Sequence, residues 1–407
     1  MGDDDEARAI GWQIQRIRDA RGKSLRVIAG LAGMSASTLH RIEHGERAVT
    51  LSEIVRLAGA LEVAPSELTK QPVPAPANGH TDSTTEAVRL ALDAIEAGYP
   101  GGIVLPVSAL RDQVAQIHQQ RRACQFAEVA TALPGLIRNL HTTLATGANH
   151  GEVLDLAVYL HTHVTRMWLV HAAAPDDLIR RAVFLTLRVA QERDEVSTLA
   201  VAGFSVADVL LAGGAFEPSR ARLESLTFPP VAADTAGFVA VATVCHALAA
   251  VLGGRPGDAA APMDAAAEIA GRFDVDYLAP VPGPTDAGTD RFVFGSVDAG
   301  IVRIWVALEA GEPDRAVSIA QDVQPERHPL PVGRAQYWTE YGRALARLRE
   351  HRDDAVLALR TAEDIFPTKV RRDPLVREAI ATLLPGARRD AVGMELRGLA
   401  HRAGLPV

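Results

Sequence analysis

The chain has 407 residues, a formal net charge of -8, 48% hydrophobic residues and 23% charged residues. That composition supplies a buried core for most of the chain, which excludes wholesale disorder. The acidic balance excludes a protein that coats nucleic acid along its whole length, so any nucleic-acid site must be local. Aromatic residues make up only 5% and alanine is abundant, which predicts an all-α fold.

The two cysteines, Cys124 and Cys245, form no C-x-x-C motif and no disulfide framework. The acidic N-terminus lacks the basic and then apolar pattern of a signal peptide. Both features favour a cytoplasmic protein with reduced thiols.

The first predicted unit, residues 7–70, is a dense series of short helices. Apolar residues at helical spacing predict a first helix over about 7–21, which Gly22 ends. Ser24 is placed to cap a second helix, Gly33-Met34 forms a turn, and Ser35 caps a third helix over 36–44. Thr50 and Glu53 form a capping box for a fourth helix, and residues 65–68 begin a short fifth.

This unit is locally basic. Between Arg8 and Arg56 there are nine Lys or Arg residues against four Asp or Glu residues, a balance of +5 in a chain of net -8. The acidic excess therefore belongs to the larger remainder of the chain.

Five short helices with a glycine turn between the second and third resemble the lambda-repressor/Cro (XRE-type) helix-turn-helix family. One set of residues carries the resemblance: Ile10, Ile17, Arg18, Arg21, Ile28, Ala29, Ala32, Gly33, Met34, Ser35, Thr38, Leu39, Arg41, Ile42, Glu43, Gly45, Leu57, Ala60, Leu61 and Leu68. The family usually carries Gln just after the cap of the second helix, where this chain has Leu25. The resemblance implies that the third helix enters the major groove of double-stranded DNA.

Within that resemblance, the outer face of the third helix is formed by Ala36, Ser37, His40, Arg41 and His44. Arg41 has the geometry to contact guanine O6 and N7 with two hydrogen bonds, and Ser37 can bond to either base type. Ser35, Thr38 and Arg47 are better placed for phosphates, which orient the protein without reading sequence.

Residues 71–83 predict a linker, because three alternating prolines followed by Asn-Gly cannot continue a helix. Beyond it, residues 84–407 predict an α-solenoid of helix pairs. Four tight turns recur at 214–219, 254–259, 311–316 and 350–355, with spacings of 40, 57 and 39 residues. The longer spacing contains an insertion at 280–295, and the apolar run Ala236–Leu252 reads as a buried helix rather than a membrane span.

Residues 294–407 resemble the tetratricopeptide-like sensor half of bacterial regulators that carry an XRE-type helix-turn-helix. The matching stretches are 306–313, 334–337, 353–355 and 396–405. At 294–298 the chain keeps the family's Phe-Gly but carries Asp298 in place of Asn. The two-part architecture is also similar to the peptide-pheromone sensors of Gram-positive quorum sensing. The resemblance implies a homodimer that senses a peptide or small-molecule effector.

We expect the effector on the concave face of the solenoid, near the helices that begin around Asp298 and Arg334. The candidate ligand-binding residues combine charge and aromatic surface: Asp298, Arg303, Trp338, Glu340 and Arg343. The insertion at 280–295 precedes this region and could act as a lid. The alternative for Asp298 is a helix cap, and for Trp338 an ordinary core residue.

Other motifs are weaker. Residues 40–44 spell the H-x-x-E-H string of a zinc peptidase, but the helix lies inside a complete DNA-binding pattern. His161 and His163 point apart on a helix, so packed histidines are favoured over a metal site. No nucleophile elbow, P-loop or dinucleotide motif occurs, so the sequence predicts no enzyme, cofactor, metal or membrane segment. The alternatives to a DNA-binding transcriptional regulator are a helical-repeat interaction scaffold with vestigial DNA binding and an enzyme with an accessory helix-turn-helix.

Overall fold

The computed structural model describes residues 3–47, 49–61, 63, 68, 79–227, 236–272 and 294–405. All regular secondary structure within these ranges is helical, which confirms the predicted all-α class.

The N-terminal unit packs four short helices around one apolar core. They are α1 (Asp3–Ala20), α2 (Leu25–Leu31), α3 (Ala36–Glu43) and α4 (Leu51–Leu61). The core is formed by Ile10, Ile14, Ile17, Ile28, Ala29, Ala32, Leu39, Ile42, Ile54, Leu57, Ala58, Leu61 and Leu68. These are the apolar positions that the helical spacing predicts, and their burial holds α3 against both α1 and α2.

The predicted start signals of these helices operate as expected. The Ser24 hydroxyl accepts a hydrogen bond from the Val27 amide, and the Ser35 hydroxyl accepts one from the Thr38 amide at 3.0 Å. Gly33 has φ +66°, the left-handed conformation that the turn between α2 and α3 requires. Most of the predicted fifth helix, residues 65–67, lies outside the described residues.

The remainder of the described chain is a succession of packed helices, α5 to α21. Their bounds are α5 Gly79–Glu96, α6 Val107–Arg122, α7 Phe126–Leu144, α8 His150–Leu160, α9 Arg166–His171, α10 Asp176–Arg193, α11 Val196–Ala212, α12 Phe216–Glu224, α13 Ala236–Leu252, α14 Ala260–Arg272, α15 Ser296–Glu309, α16 Pro313–Gln321, α17 Pro331–Ala346, α18 Arg352–Ile365, α19 Pro367–Arg372, α20 Pro374–Leu383 and α21 Ala391–Arg402.

The four predicted turns each join two packed helices. They connect α11 to α12, α13 to α14, α15 to α16, and α17 to α18. The pairs bury apolar residues against their neighbours, in two large clusters that lie within residues 88–245 and 297–403. Two smaller clusters between them hold most of the buried residues of α13 and α14. Stacked pairs of this kind form a solenoid-like helical region.

One local feature departs from the sequence prediction. Between α8 and α9, residues His161–Thr165 form a single turn of π-helix. This widened turn buries both His161 and His163, which confirms that they are packed histidines.

Helix α13 is the apolar run that was expected to be a buried helix, and twelve of its residues are buried. None of the helices in the described ranges is both long enough and apolar enough to cross a bilayer.

The predicted linker was too long at its C-terminal end. Helix α5 begins at Gly79, so residues 79–83 are helical, because the proline series ends before them. Residues 71–78, and residues 280–293 of the predicted lid, lie outside the described residues.

Candidate nucleic-acid interface

The outward face of α3 presents the polar side chains that the sequence places there. Ser37, His40, Arg41 and His44 are exposed, while Ala36 and Thr38 are partly exposed. The His40 and His44 rings stack with centroids 4.1 Å apart, and His44 Nδ1 lies 2.8 Å from the His40 carbonyl oxygen. Among the described residues, the Arg41 guanidinium pairs only with Glu46, at 4.0 Å between exposed side chains, so it can reorient towards a ligand.

The inward face of α3 is held by a buried ion pair. Arg18 of α1 donates from Nε and Nη2 to the two carboxylate oxygens of Glu43, each at 2.7 Å. The Glu43 side chain is fully buried, and the hydrogen bond that Arg18 donates to Glu43 is the main cause of the raised pKa of Arg18. A paired geometry of this kind fixes both the position and the rotation of α3.

Gly11 allows the close approach that this pairing needs. A Cβ atom at Gly11 would lie 2.0 Å from the Ile42 carbonyl oxygen, so the backbones of α1 and α3 touch at this point. Any larger residue would push α3 away from α1 and turn its outer face.

Arg47 is engaged within the domain. Its Nη2 donates to Glu53 Oε1 at 3.0 Å, and the other Glu53 oxygen accepts from the Thr50 amide at 2.9 Å in the predicted capping box. Burial opposes ionisation of Glu53, but the bonds from Thr50 and Arg47 outweigh it and lower the pKa of the carboxyl. A phosphate contact by Arg47 would therefore compete with Glu53.

The zinc reading of residues 40–44 fails on geometry. Glu43 points into the core towards Arg18, while His40 and His44 lie on the exposed face. Across the part of the chain that the structure describes, no three His, Cys, Asp or Glu side chains group as a metal site.

Among the candidate effector residues, Asp298 acts as a helix-capping group. One carboxylate oxygen accepts from the Gly295 amide at 2.9 Å at the start of α15, and the other lies 3.2 Å from Nε2 of the buried His328. The structure therefore places Asp298 in the cap role that the sequence left open.

Glu340 and Arg343 belong to a buried ionic network. Arg343 donates to Glu340 and, at 3.3 Å, to Glu309, and all three side chains are buried. Burial raises the pKa of Glu340, which the positive charge of Arg343 partly offsets. This network joins α15 to α17.

Trp338 and Arg303 complete the five candidates. Trp338 is partly buried and packs edge-on to Tyr337, with ring centroids 5.1 Å apart. Arg303 is exposed on α15. The structure thus links Glu340 with Arg343, but joins neither to Asp298 by a direct contact.

Two features of this interface cannot be predicted from helical periodicity. The Arg18–Glu43 pair joins residues 25 positions apart. In the sequence, each of the two is typical of the family, but nothing shows that they contact each other. Gly11 lies inside a helix, where an isolated glycine signals a close backbone approach without naming the partner.

Comparison with known proteins supports the N-terminal assignment. Residues 9–70 match a family model described as a helix-turn-helix domain. No curated protein matches the chain. A solved structure, the apo form of the competence regulator ComR from Streptococcus vestibularis, aligns at 10% identity over 98% of this chain and 100% of that chain, with a TM-score of 0.19. A TM-score this low carries neither fold nor function to this chain. The match and the geometry of α2 and α3 agree that the N-terminal unit is a helix-turn-helix domain.

Proposed function

We propose that the protein is a cytoplasmic, sequence-specific DNA-binding transcriptional regulator whose helical-repeat region dimerises and senses a peptide or small-molecule effector. The observation that carries the DNA-binding part is the division of α3 into two faces. One face is fixed by Glu43 in the core, and the other offers Ser37, His40 and Arg41 to solvent. A rigid helix with an exposed polar face is what major-groove readout needs.

The DNA-binding proposal is tested by gel shift with promoter DNA from beside the protein's own gene. Arg41→Ala should weaken operator binding by about 1–3 kcal/mol and relax the preference at one base pair, because a bidentate base contact is lost. Since Arg41 is exposed, the variant should keep its helical circular dichroism spectrum. Arg315→Ala, an exposed site on α16, is the matched control. An unchanged affinity and preference in Arg41→Ala would show that this face does not read DNA.

The dimer proposal follows from the usual symmetry of helix-turn-helix operators, which present two half-sites about 34 Å apart. The loop between α5 and α6 is a candidate contact surface. Tyr99, Ile103 and Val104 are 82%, 63% and 58% exposed. The loop is held in place by α7, through hydrogen bonds from the Gly102 amide to Thr142 and from the Ile103 amide to Asn139.

A second copy of this chain is the partner that this loop fits. Residues 97–107 contain no charged side chain. A two-fold contact brings a surface against its own copy, so a charged patch would repel itself whereas this apolar one gains burial.

The expected result is a homodimer of the wild-type chain at micromolar concentration in light scattering, and a monomer for the double variant Ile103→Lys/Val104→Lys. Both side chains are exposed, so the substitutions should leave the thermal transition in place. A wild-type monomer would count against the dimer. A variant that remains dimeric would place the interface elsewhere on the solenoid.

A further inference from the structure

Two segments of the helical region that are distant in sequence meet at one point. The Arg372 Nε of α19 donates at 2.7 Å to the carbonyl oxygen of Ala172, which follows α9. Phe366, just before α19, packs its ring edge-on to His171 at 4.9 Å and lies 6.4 Å from the Phe126 ring. Residues about 200 positions apart in sequence therefore form one junction, which the C-terminal end of α6 also reaches.

This junction gathers positive charge. Arg121 of α6, Arg166 of α9 and Lys369 of α19 all lie within electrostatic reach of the His171 ring. Arg121, Lys369 and Arg334 of α17 likewise surround the Cys124 thiol. Four helices thus contribute cations to this junction.

The nearby carboxylates are already engaged. Asp208 pairs with Arg166, and Asp373 lies 3.4 Å from the Lys369 ammonium while capping α20. Burial raises the pKa of Cys124 to about 11, so this thiol is neutral at pH 7 and supplies no countercharge.

Arg121 is left without a carboxylate. Its Nε is buried and has no acceptor among the described residues. Burial, helped by the neighbouring Arg122 and Arg166, lowers the pKa of Arg121 to about 10, so its guanidinium is still charged at pH 7. A guanidinium whose buried Nε lacks an acceptor is costly unless something negative binds it.

We propose that Arg121, with Arg166 and Lys369 at the same junction, binds the oxyanion group of a ligand, either a carboxylate or a phosphate. Arginine matches both groups through two parallel N–H bonds, and the two flanking cations add charge. Only the identification of this ligand as the effector rests on the proposed function. The site deepens that function because an anion here would contact helices from distant parts of the sequence, and so would stabilise the junction between them.

The full-length chain is titrated by calorimetry with two probes, inorganic phosphate and N-acetyl-dialanine, whose free carboxylate imitates a peptide terminus. The C-terminal amide of the same dipeptide and sodium chloride at equal ionic strength are the references. Binding of phosphate indicates a phosphorylated ligand, and binding of the dipeptide but not its amide indicates a carboxylate. If the wild-type chain binds neither probe, the proposal is wrong.

Arg121→Gln should lower the affinity for the probe that binds at least tenfold, because a charge-assisted hydrogen bond is lost. The probe affinity of Arg121→Lys should lie between those of the wild type and Arg121→Gln. Lysine keeps the positive charge but cannot form the two parallel N–H bonds of a guanidinium. Without probe, the melting temperature of Arg121→Gln should equal or exceed that of the wild type, because an unpaired charge is removed.

Arg303→Gln on α15 is the matched control, because Arg303 is an exposed arginine of the other candidate site. Equal probe affinity in wild type and Arg121→Gln, or a loss confined to Arg303→Gln, would overturn the assignment. These readouts do not involve DNA, so failure of operator binding would leave the anion site standing, and the reverse also holds.

Discussion

Glu43→Ala is expected to destabilise the helix-turn-helix domain by about 3–5 kcal/mol, because it leaves the buried Arg18 guanidinium without its bidentate partner. The loss should appear as faster amide hydrogen exchange in α1 and α3 of the full-length chain. Since the same pair fixes the rotation of α3, operator affinity should fall as well, although Glu43 itself never reaches the DNA-facing side.

The matched control is Glu46→Ala, three residues further on. Glu46 is exposed and lies 4.0 Å from Arg41, so its loss should change stability by about half a kcal/mol or less. The double variant Arg18→Met/Glu43→Leu should recover most of the protection of α1 and α3 against amide hydrogen exchange. An apolar pair of similar volume replaces a buried ion pair at little cost in stability. Amide hydrogen exchange that is as slow in Glu43→Ala as in the wild type would mean that the Arg18–Glu43 pair does not hold α3 in place.

The N-terminal domain could be predicted almost completely from local signals. Ser24 and Ser35 mark helix starts by hydroxyl capping, and Gly33 marks the turn by its backbone freedom. These effects act over three or four residues, so they are legible without knowledge of the fold. The exposed face of α3 follows from the burial of Leu39 and Ile42 on its other side.

The effector region could not be predicted in the same way, because its contacts are long-range. Periodicity placed Glu340 and Arg343 on one helix but did not reveal that both turn inward to Glu309. Arg121 carried no local signal, since its distinction is the absence of a carboxylate across a junction of segments about 200 residues apart. The π-turn at His161–Thr165 escaped for a related reason, because a widened turn is set by packing rather than by spacing.

A pair of buried histidines predicts a marked loss of stability in mild acid. Nε2 of His141 and Nε2 of His161 lie 2.8 Å apart, and His161 Nδ1 lies 3.2 Å from the Thr165 hydroxyl. Burial lowers the pKa of His141 to about 4, with a further contribution from Arg188, and burial places the pKa of His161 well below its usual value. One ring donates and the other accepts, and burial keeps both rings neutral in the folded chain.

The direction of the stability change follows from the unfolded chain, where each histidine has a pKa near 6.5. Above that pH neither state is protonated, and stability is complete. As the pH falls below about 6.5, the histidines bind protons in the unfolded chain but not in the folded chain. The free energy of unfolding therefore decreases until the pH reaches the pKa of the folded state. At pH 5 each histidine should cost about 2 kcal/mol, or about 4 kcal/mol for the pair.

Thermal unfolding of the full-length chain between pH 7.5 and 5 measures this loss. Glu53 and Glu363 titrate below this range, because their pKa values are lowered. Burial raises the pKa of Glu340, which acts in the opposite direction to the histidines. The melting temperature should drop steadily below pH 6.5. His141→Gln, which can still donate and accept at the His161 ring, should reduce the loss at pH 5 by about 2 kcal/mol. His161 and His171, whose pKa values burial also lowers, should supply the rest. His401→Gln, an exposed site on α21, should leave the profile unchanged. A melting temperature that stays flat to pH 5, or an equal slope in His141→Gln, would show that the pair is not held neutral by burial.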